Sequence, residues 1–514
     1  MKGNLAQSIQ RGVAWSLVTT ITVRLGTLVV GVALARILTP EQFGVYAVAL
    51  TVTTILITLA DLGLGAVLLR ADDPERLAPT VATLGLVAGI ALAGAMAIGS
   101  ETLAASFGVP HAAPVIAVLS PTLALGGLAV VPYSMLLRNF EQNKLFAASI
   151  TDFVVGSAVA IVLVLVGFGP MALALSRVSA QSCSTVMLFV LSRRRPALGL
   201  DPAAAGPALR FGLPASSAAL LSVTLMNIDN VVVARVAGEV ALGFYVLAFN
   251  IASWPMTAIG QAVQSVSIQA FVESERRRVG GSAGRDPSLA VGTTFVSAAA
   301  TPAGMLLAVL SIPLTDVLYG SKWTPAASAL AALGAFGALR VLLTMFDYYL
   351  LARGKAGTVA GIQALWILVL TPAMIVGTRL FGIAGGGWSH VIVGMCVMLP
   401  VYLVATYRVG ADVSAVVRGL IPPILAAVPA WLAAHWMVNS VSSSLLGLLC
   451  GGLAGIVVYF VLVRRWISRI WEAVHRQGSP PVSSDQDRVP SGSREDLGSR
   501  RVPRVLPGDP HRAR

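Results

Sequence analysis

The stretch "ARILTPEQFGVYAVAL", residues 35–50, interrupts a long apolar run near the N-terminus, and "ARVAGEVALGFYVLAF", residues 234–249, aligns with it without a gap. The alignment pairs Ala35 with Ala234, Arg36 with Arg235, Gly44 with Gly243, Tyr46 with Tyr245 and Ala49 with Ala248, each pair 199 residues apart (235 less 36, 243 less 44). Arg11 and Arg210 fall on the same offset. Small and apolar residues coincide often in membrane proteins, but an Arg, a Gly and a Tyr in register do not, so the segments mark an internal duplication.

The chain has 514 residues, of which 56% are hydrophobic and 11% charged, and its mean hydropathy is +0.81. That is more apolar surface than a soluble core hides, and it indicates an integral membrane protein. The net charge of +13 sits in short clusters between apolar runs and in the C-terminal stretch. Such clusters suit anchoring beside anionic lipid, and no nucleic-acid partner is expected. Cys183, Cys396 and Cys450 lie in or against apolar runs without paired spacing, so neither a disulfide nor a metal site is expected. The first apolar run carries a formal Ala-x-Ala site at 33–35. It is too long for a signal peptide, Arg24 interrupts it, and its flank recurs in mid-chain, so it is expected to stay.

Dividing the apolar runs at charges, Gly/Pro clusters and capping residues gives about fourteen spans. They run from 12–36, 43–69 and 79–99 through 209–234, 242–271 and 289–310 to 416–437 and 445–463. An even count puts both termini on one side. Alternate connections carry Arg70 and Arg76, Arg138 and Lys144, Arg193 to Arg195, Arg276 to Arg278, and Arg353 and Lys355, against Arg36, Arg235, Lys322 and Arg379 in the others. The positive-inside rule makes the richer set cytoplasmic, with both termini. The repeated segments are six spans apart and so run in the same direction. The expected fold is an all-α integral membrane protein with two parallel-repeat six-helix lobes, 1–208 and 209–410, two additional transmembrane helices within 411–470, and a disordered cytoplasmic tail, 471–514.

Locally, Thr39 suits an N-cap, Pro40 the first helical position, and Thr39 with Gln42 a capping box; Arg36 is expected to satisfy the last carbonyls of its own helix. In the second copy Gly238 stands where Thr39 was.

Ionisable groups inside a bilayer face a cavity or a partner. Arg24 lies in the first span, Asp61 in the second, Arg177 in the sixth, Asp229 beside Asn227 and Asn230 in the seventh, Arg340 and Asp347 in the tenth, and His390 in the twelfth. Arg24, Arg177 and Arg340 are candidates for a cationic cavity. Arg24 has the alternative of bridging to Asp61, and Arg177 and Arg340 that of snorkelling. Asp229 and Asn227 read as helix-bridging groups, Asp61 and Asp229 also as coupling residues, and His390 as a packed polar contact. "GIAGGGWSH", residues 382–390, lacks the Lys of a phosphate loop and reads as close helix packing. No catalytic motif emerges, and no enzyme activity is expected.

"GVAWSLVTTITVRLGTLVVGVALARILTPEQFGVYAVALTVTTILITLADLGLGAVLLR", "DNVVVARVAGEVALGFYVLAFNIASWP", "YGSKWTPAASAL" and "LLARGKAG" resemble the polysaccharide-exporter and O-antigen flippase branch of the MOP (MATE-like) superfamily. The resemblance implies a bacterial cytoplasmic-membrane flippase that carries a polyprenyl-(pyro)phosphate-linked oligosaccharide across by alternating access. It also implies a hydrophobic groove for the lipid and cationic residues, Arg24, Arg177 and Arg340, for the pyrophosphate. The implied partners are the lipid-linked glycan, membrane lipids and glycan biosynthesis enzymes. No cofactor is expected, and a coupling ion, H⁺ or Na⁺, is left open. The alternatives are an ion-coupled exporter of organic cations from the same superfamily, a membrane glycosyltransferase or polymerase, and a non-transporting scaffold.

Overall fold

The interruption in the first apolar run is a capped turn. Thr39 Oγ1 accepts the Gln42 N–H at 3.3 Å, and the Thr39 N–H donates to Gln42 Oε1 at 3.1 Å. Pro40 follows at the first helical position, where a missing N–H costs nothing. In the computed structural model, which describes residues 23, 26–195, 197–279 and 285–478, this turn joins α1 (Gly26–Ile37) to α2 (Pro40–Ala60).

The chain continues through α3 (Leu64–Arg70), α4 (Pro74–Ile98), α5 (Ser100–Ser106), α6 (Ala113–Leu119), α7 (Pro121–Arg138), α8 (Gln142–Leu165) and α9 (Pro170–Ser192). Then come α10 (Pro202–Val279), α11 (Ser288–Val309), α12 (Ser311–Tyr319), α13 (Ala326–Ala352) and α14 (Ala356–Val393). A π-turn at Gly394–Met398 leads to α15 (Leu399–Arg408), followed by α16 (Val413–Asn439) and α17 (Ser444–Gly478). There is no strand among the described residues, and those up to Val463 form one compact unit.

Among the described residues, 11 helical segments are long and apolar enough to cross a membrane. Two of them, Ala205–Gln261 with 57 residues and Ala356–Arg408 with 53, are far longer than the roughly 20 residues that one crossing needs. Both are broken. Gly238 has φ 84° and ψ 176° inside the first, and Phe381 and Gly382 leave helical geometry inside the second, with φ −131° and 61°. The first copy of the repeat breaks its helix with a capping side chain; the second uses, at the matching position, a backbone conformation that only glycine adopts cheaply.

The sequence boundaries need correction at several places. The second span, expected over 43–69, stops at Ala60, and the chain turns through Leu62 (φ 47°) and Gly63 (φ 67°) into the separate α3. The short helices α5 and α12, after α4 and α11, were not anticipated, because seven or nine residues are too few to show a helical period.

The repeat reappears in space. A Cβ on Gly44 would fall 1.8 Å from the Glu239 carbonyl oxygen, and one on Gly243 would fall 1.9 Å from the Pro40 carbonyl oxygen. Glu239 lies 199 residues after Pro40, so the contact is reciprocal across the two copies. Backbone packs on backbone there, and only glycine fits. The repeated arginines behave alike as well. Arg36 donates to the carbonyls of Leu318 (3.0 Å) and Val317 (2.8 Å) at the end of α12; Arg235 donates to those of Ala105 (3.0 Å) and Ser106 (3.1 Å) at the end of α5.

Arg36 therefore does not cap its own helix. Its guanidinium is taken up instead by the carbonyls at the end of α12, which packs within its reach. The end of α1 is served from afar. Trp323 Nε1 donates to Ala35 O at 2.8 Å, and Lys322 Nζ donates to Arg36 O and Leu38 O at 2.8 and 2.9 Å. The glycine-rich 382–390 segment packs closely, as its composition indicated: a Cβ on Gly385 would meet the Gly377 carbonyl oxygen at 1.9 Å.

Candidate functional site: polar clusters within the spans

The first cluster lies among α7, α8 and α9. Arg177 of α9 donates from Nη1 to Asp152 Oδ2 of α8 at 3.3 Å and from Nη2 to Gln181 Oε1, one turn along, at 3.1 Å. These side chains, with Tyr133, Ser149 and Ser184, wall a cavity of about 460 Å³. Arg177 is thus held by a counter-ion, Asp152. Its partner, Asp152, is a residue that sequence reading missed, since nothing in a single chain tells which helices face each other. Val23 also lines this cavity. Its neighbour Arg24, and with it the Arg24–Asp61 bridge, lies outside the described residues.

The second cluster joins α10, α13 and α14. Asp229 is buried; its Oδ1 accepts the Asn230 N–H at 2.9 Å and its Oδ2 accepts the Tyr245 hydroxyl at 3.3 Å. That hydroxyl is also 3.3 Å from His390 Nε2. The network therefore ties together both sides of the Gly238 break and α14. Asn230 Nδ2 extends it to Thr51 Oγ1 of α2 at 3.1 Å, while Asn227 donates back to the Val223 carbonyl. Helix bridging, the reading given to Asp229, fits these bonds, and the repeat had marked Tyr245 without saying why.

Arg340 of α13 sits within electrostatic range of Asp229 and Asp347. Asp347 is already engaged, accepting the Tyr402 hydroxyl at 2.7 Å. Among the described residues the Arg340 guanidinium makes no ion pair or hydrogen bond, and it borders a cavity of about 210 Å³ lined by Phe249, Met256 and Phe336. On α14, His390 Nδ1 and Thr378 Oγ1 are buried without a hydrogen-bond partner among the described residues. Buried polar atoms are seldom left so. Asp61 belongs to neither cluster: it closes α2, and its carboxylate faces the backbone N–H groups of Gly63 and Gly65 at the start of α3.

A third cluster lies outside the spans. Asp286 accepts hydrogen bonds from the hydroxyls of Ser274 (2.7 Å), Ser288 (2.8 Å) and Tyr349 (3.2 Å) and pairs with Arg353. Burial pushes its carboxyl up, but the Ser274 hydroxyl, the Ser288 N–H and hydroxyl, and the Arg353 charge together hold it below the usual carboxylate range.

A sequence profile described as polysaccharide biosynthesis protein matches residues 33–328, more than half of the chain and both copies of the repeat. The chain belongs to this family. Within it, the chain is 27% identical over 476 residues to the succinoglycan biosynthesis transport protein ExoT of Rhizobium meliloti (strain 1021), covering 89% of this chain and 93% of that one. It is 24% identical to the lipopolysaccharide biosynthesis protein WzxC of Escherichia coli (strain K12), over 74% of this chain and 77% of the relative. The teichuronic acid biosynthesis protein TuaB of Bacillus subtilis (strain 168) is 24% identical over 68% of this chain and 72% of its own length. Among solved structures, the lipid II flippase MurJ in an inward closed conformation superposes with a TM-score of 0.71 at 15% identity, covering 88% of this chain and all of that one. An inward-facing MATE family multidrug transporter of the MOP superfamily gives 0.60 at 18%, covering 78% and 99%. The family's fold is thus the all-α, multi-pass one that the sequence resemblance implied.

Proposed function

We propose that this family member moves a polyprenyl-(pyro)phosphate-linked oligosaccharide or polysaccharide precursor across the cytoplasmic membrane. It works by alternating access of two six-helix lobes, 1–208 and 209–410, followed by the helices of 411–470. Treating the breaks at Gly238 and Phe381–Gly382 as turns divides the 11 segments into 13, and counting α1 before them supports fourteen crossings, an even number that keeps both termini on one side. The named activities of the relatives support the substrate class. The observation that carries the reading is Arg340, a guanidinium within a span that makes no ion pair or hydrogen bond among the described residues and borders a cavity. Holding an unpaired charge in the membrane is costly, and a lipid phosphate is the counter-ion that would offset it. Arg24 is proposed to serve the same phosphate. Asp229, with the unpartnered atoms of His390 and Thr378, is proposed as the coupling site for H⁺ or Na⁺. Glycan biosynthesis enzymes are proposed as partners.

The test is reconstitution into liposomes carrying a fluorescent polyprenyl-pyrophosphate oligosaccharide in one leaflet. Wild type is expected to equilibrate it between leaflets; Arg340→Ala is expected to slow this at least tenfold and Arg340→Lys to restore part of the rate. Unchanged flipping in Arg340→Ala, or export of cationic dyes with no lipid movement, would reverse the assignment in favour of the multidrug branch.

A further inference from the structure

The two intramembrane arginines do not stand in the same electrostatic situation. Arg340 makes no direct ion pair among the described residues, with Asp229 and Asp347 only within electrostatic range, whereas Arg177 gives one nitrogen to Asp152 at 3.3 Å and another to Gln181 at 3.1 Å. The charges of Arg177 and Asp152 offset each other. A phosphate arriving at Arg177 would have to displace a carboxylate and leave it beside a second anion. The first cavity is therefore poorly suited to an anionic group.

It is well suited to something else. Hydroxyls in the membrane helices around it fold back onto the carbonyl four residues earlier: Thr53 on Ala49, Thr151 on Ala147 and Ser182 on Val178, at 2.7–2.9 Å. That is the cheapest way to satisfy a hydroxyl in an apolar medium. Tyr133, Ser149 and Ser184, which line the cavity, make no hydrogen bond among the described residues. Their hydroxyls are left with donor and acceptor capacity turned to the cavity wall. Gln181 adds an amide whose N–H₂ is unused, and Asp152 retains a carboxylate oxygen. The Tyr133 side chain is 49% exposed, offering a ring face. Interleaved neutral donors and acceptors around an aromatic face, in about 460 Å³, match a polyhydroxylated ring; the volume is within the range of small-molecule sites.

We infer that the cavity walled by Tyr133, Ser149, Asp152, Arg177, Gln181 and Ser184 is a subsite for an uncharged sugar residue of the transported headgroup. It is separate from the phosphate-binding role of Arg340. This inference rests on the proposed function, since it assumes a glycan-bearing lipid as substrate. In it, Asp152 and Arg177 act as a neutral pair that hydrogen-bonds hydroxyls, and Ser184 and Gln181 set the preference for a sugared over a bare lipid.

The full-length protein in lipid nanodiscs is titrated with three probes: undecaprenyl pyrophosphate, the same lipid bearing one neutral hexose, and the same lipid bearing one uronic acid. Wild type is expected to prefer the hexosyl lipid to the bare lipid. Gln181→Ala and Ser184→Ala are each expected to reduce that preference about tenfold, leaving affinity for the bare lipid unchanged. Arg340→Ala is expected to weaken all three probes alike. Ser184→Ala removes only a hydroxyl unbonded to described residues, so it carries the test even where Gln181→Ala loosens Arg177. Equal losses for bare and hexosyl lipid would make the cavity a phosphate site. Tighter binding of the uronic acid probe would make it an anion site. Absence of any preference in wild type, or wild-type preference in both variants, would remove the sugar subsite while leaving flipping intact. Failure of wild type to bind any of the lipids would overturn the proposed function and the subsite with it.

Discussion

The two copies of the repeat agree at their helix ends and disagree in the middle of the membrane. At the end that carries the α1–α2 turn, Gly44 and Gly243 occupy matching positions against each other's neighbouring backbone, and Arg36 and Arg235 each close the C-terminus of a short helix in the other copy. Between the ends, the first copy holds a directly paired Arg177 and Asp152 by a polar cavity, and the second an Arg340 that only faces Asp229 and Asp347 at a distance, beside a second cavity. The difference separates what packing fixes from what chemistry chooses. Backbone crossings tolerate one residue type, whereas a cavity wall can change its charges as long as each buried one is answered.

The comparison breaks most severely at the glycines. A Cβ less than 2 Å from a carbonyl oxygen cannot be relieved by a rotamer change, because both partners are backbone. Gly44→Val and Gly243→Val are each expected to cost more than about 3 kcal/mol, read as loss of monodisperse protein in detergent. Similar losses for both would uphold the reciprocal crossing; a tolerated valine at either would show that the copies are packed differently.

The end away from the α1–α2 turn is where the copies differ in stability. In the second copy Arg353 and Asp286 are only 2% and 7% exposed, whereas an ion pair of the first copy, Arg194 with Glu75, leaves the side chains 27% and 66% exposed. Arg353→Ala strands a buried carboxylate and is expected to cost about 3–5 kcal/mol, measured as a fall in melting temperature. The pH dependence has a definite sign. Because the folded Asp286 carboxyl is held below its ordinary value, its stabilisation is complete above the unfolded pKa and is lost only as pH falls through the depressed folded one. The wild-type contribution is therefore expected to be constant from pH 8 to about 5 and to be lost below about 4. A wild-type melting temperature that already falls between pH 7 and about 6 through this group, absent in Asp286→Asn, would contradict the depressed carboxyl.

A smaller effect tests the arginine clasps. Arg36→Ala and Arg235→Ala each remove charge-assisted bonds to helix-terminal carbonyls at partly exposed positions, worth about 1 kcal/mol. The informative measurement is hydrogen exchange: faster exchange confined to α12 for Arg36→Ala and to α5 for Arg235→Ala. Identical maps for the two variants would mean that the arginines do not act across the copies.

What the sequence disclosed follows the same division. The Thr39–Pro40–Gln42 cap is local, spans four positions, and is readable by inspection; the duplication is readable because Arg, Gly and Tyr recur in register. Arg36 was assigned to the wrong helix because its acceptors, Val317 and Leu318, lie more than 280 residues away. Asp152 was overlooked for a related reason, its partner being 25 residues along on another helix. The separate α3, α5 and α12 escaped because each is shorter than the window in which a helical period shows. Arg177, Arg340 and Asp229 were legible as costly residues in apolar runs. Which of them was already answered by a partner depends on helix packing, which one sequence does not contain.

The smallest expected effect is also the sharpest control on the contrast between the copies. Glu75 accepts from Arg194, but both are accessible to solvent, where attraction is weakened by water and by the entropy of holding two long side chains together. Glu75→Gln is expected to change stability by no more than about 0–1 kcal/mol, and the remaining difference is expected to fade in high salt. A loss approaching that of Arg353→Ala would mean that the first copy has a lock as strong as the second, and that the two halves differ in charge placement alone. A melting temperature within error of wild type would leave Asp286–Arg353 as the stronger tie, because burial and not the mere presence of two opposite charges decides what an ion pair contributes.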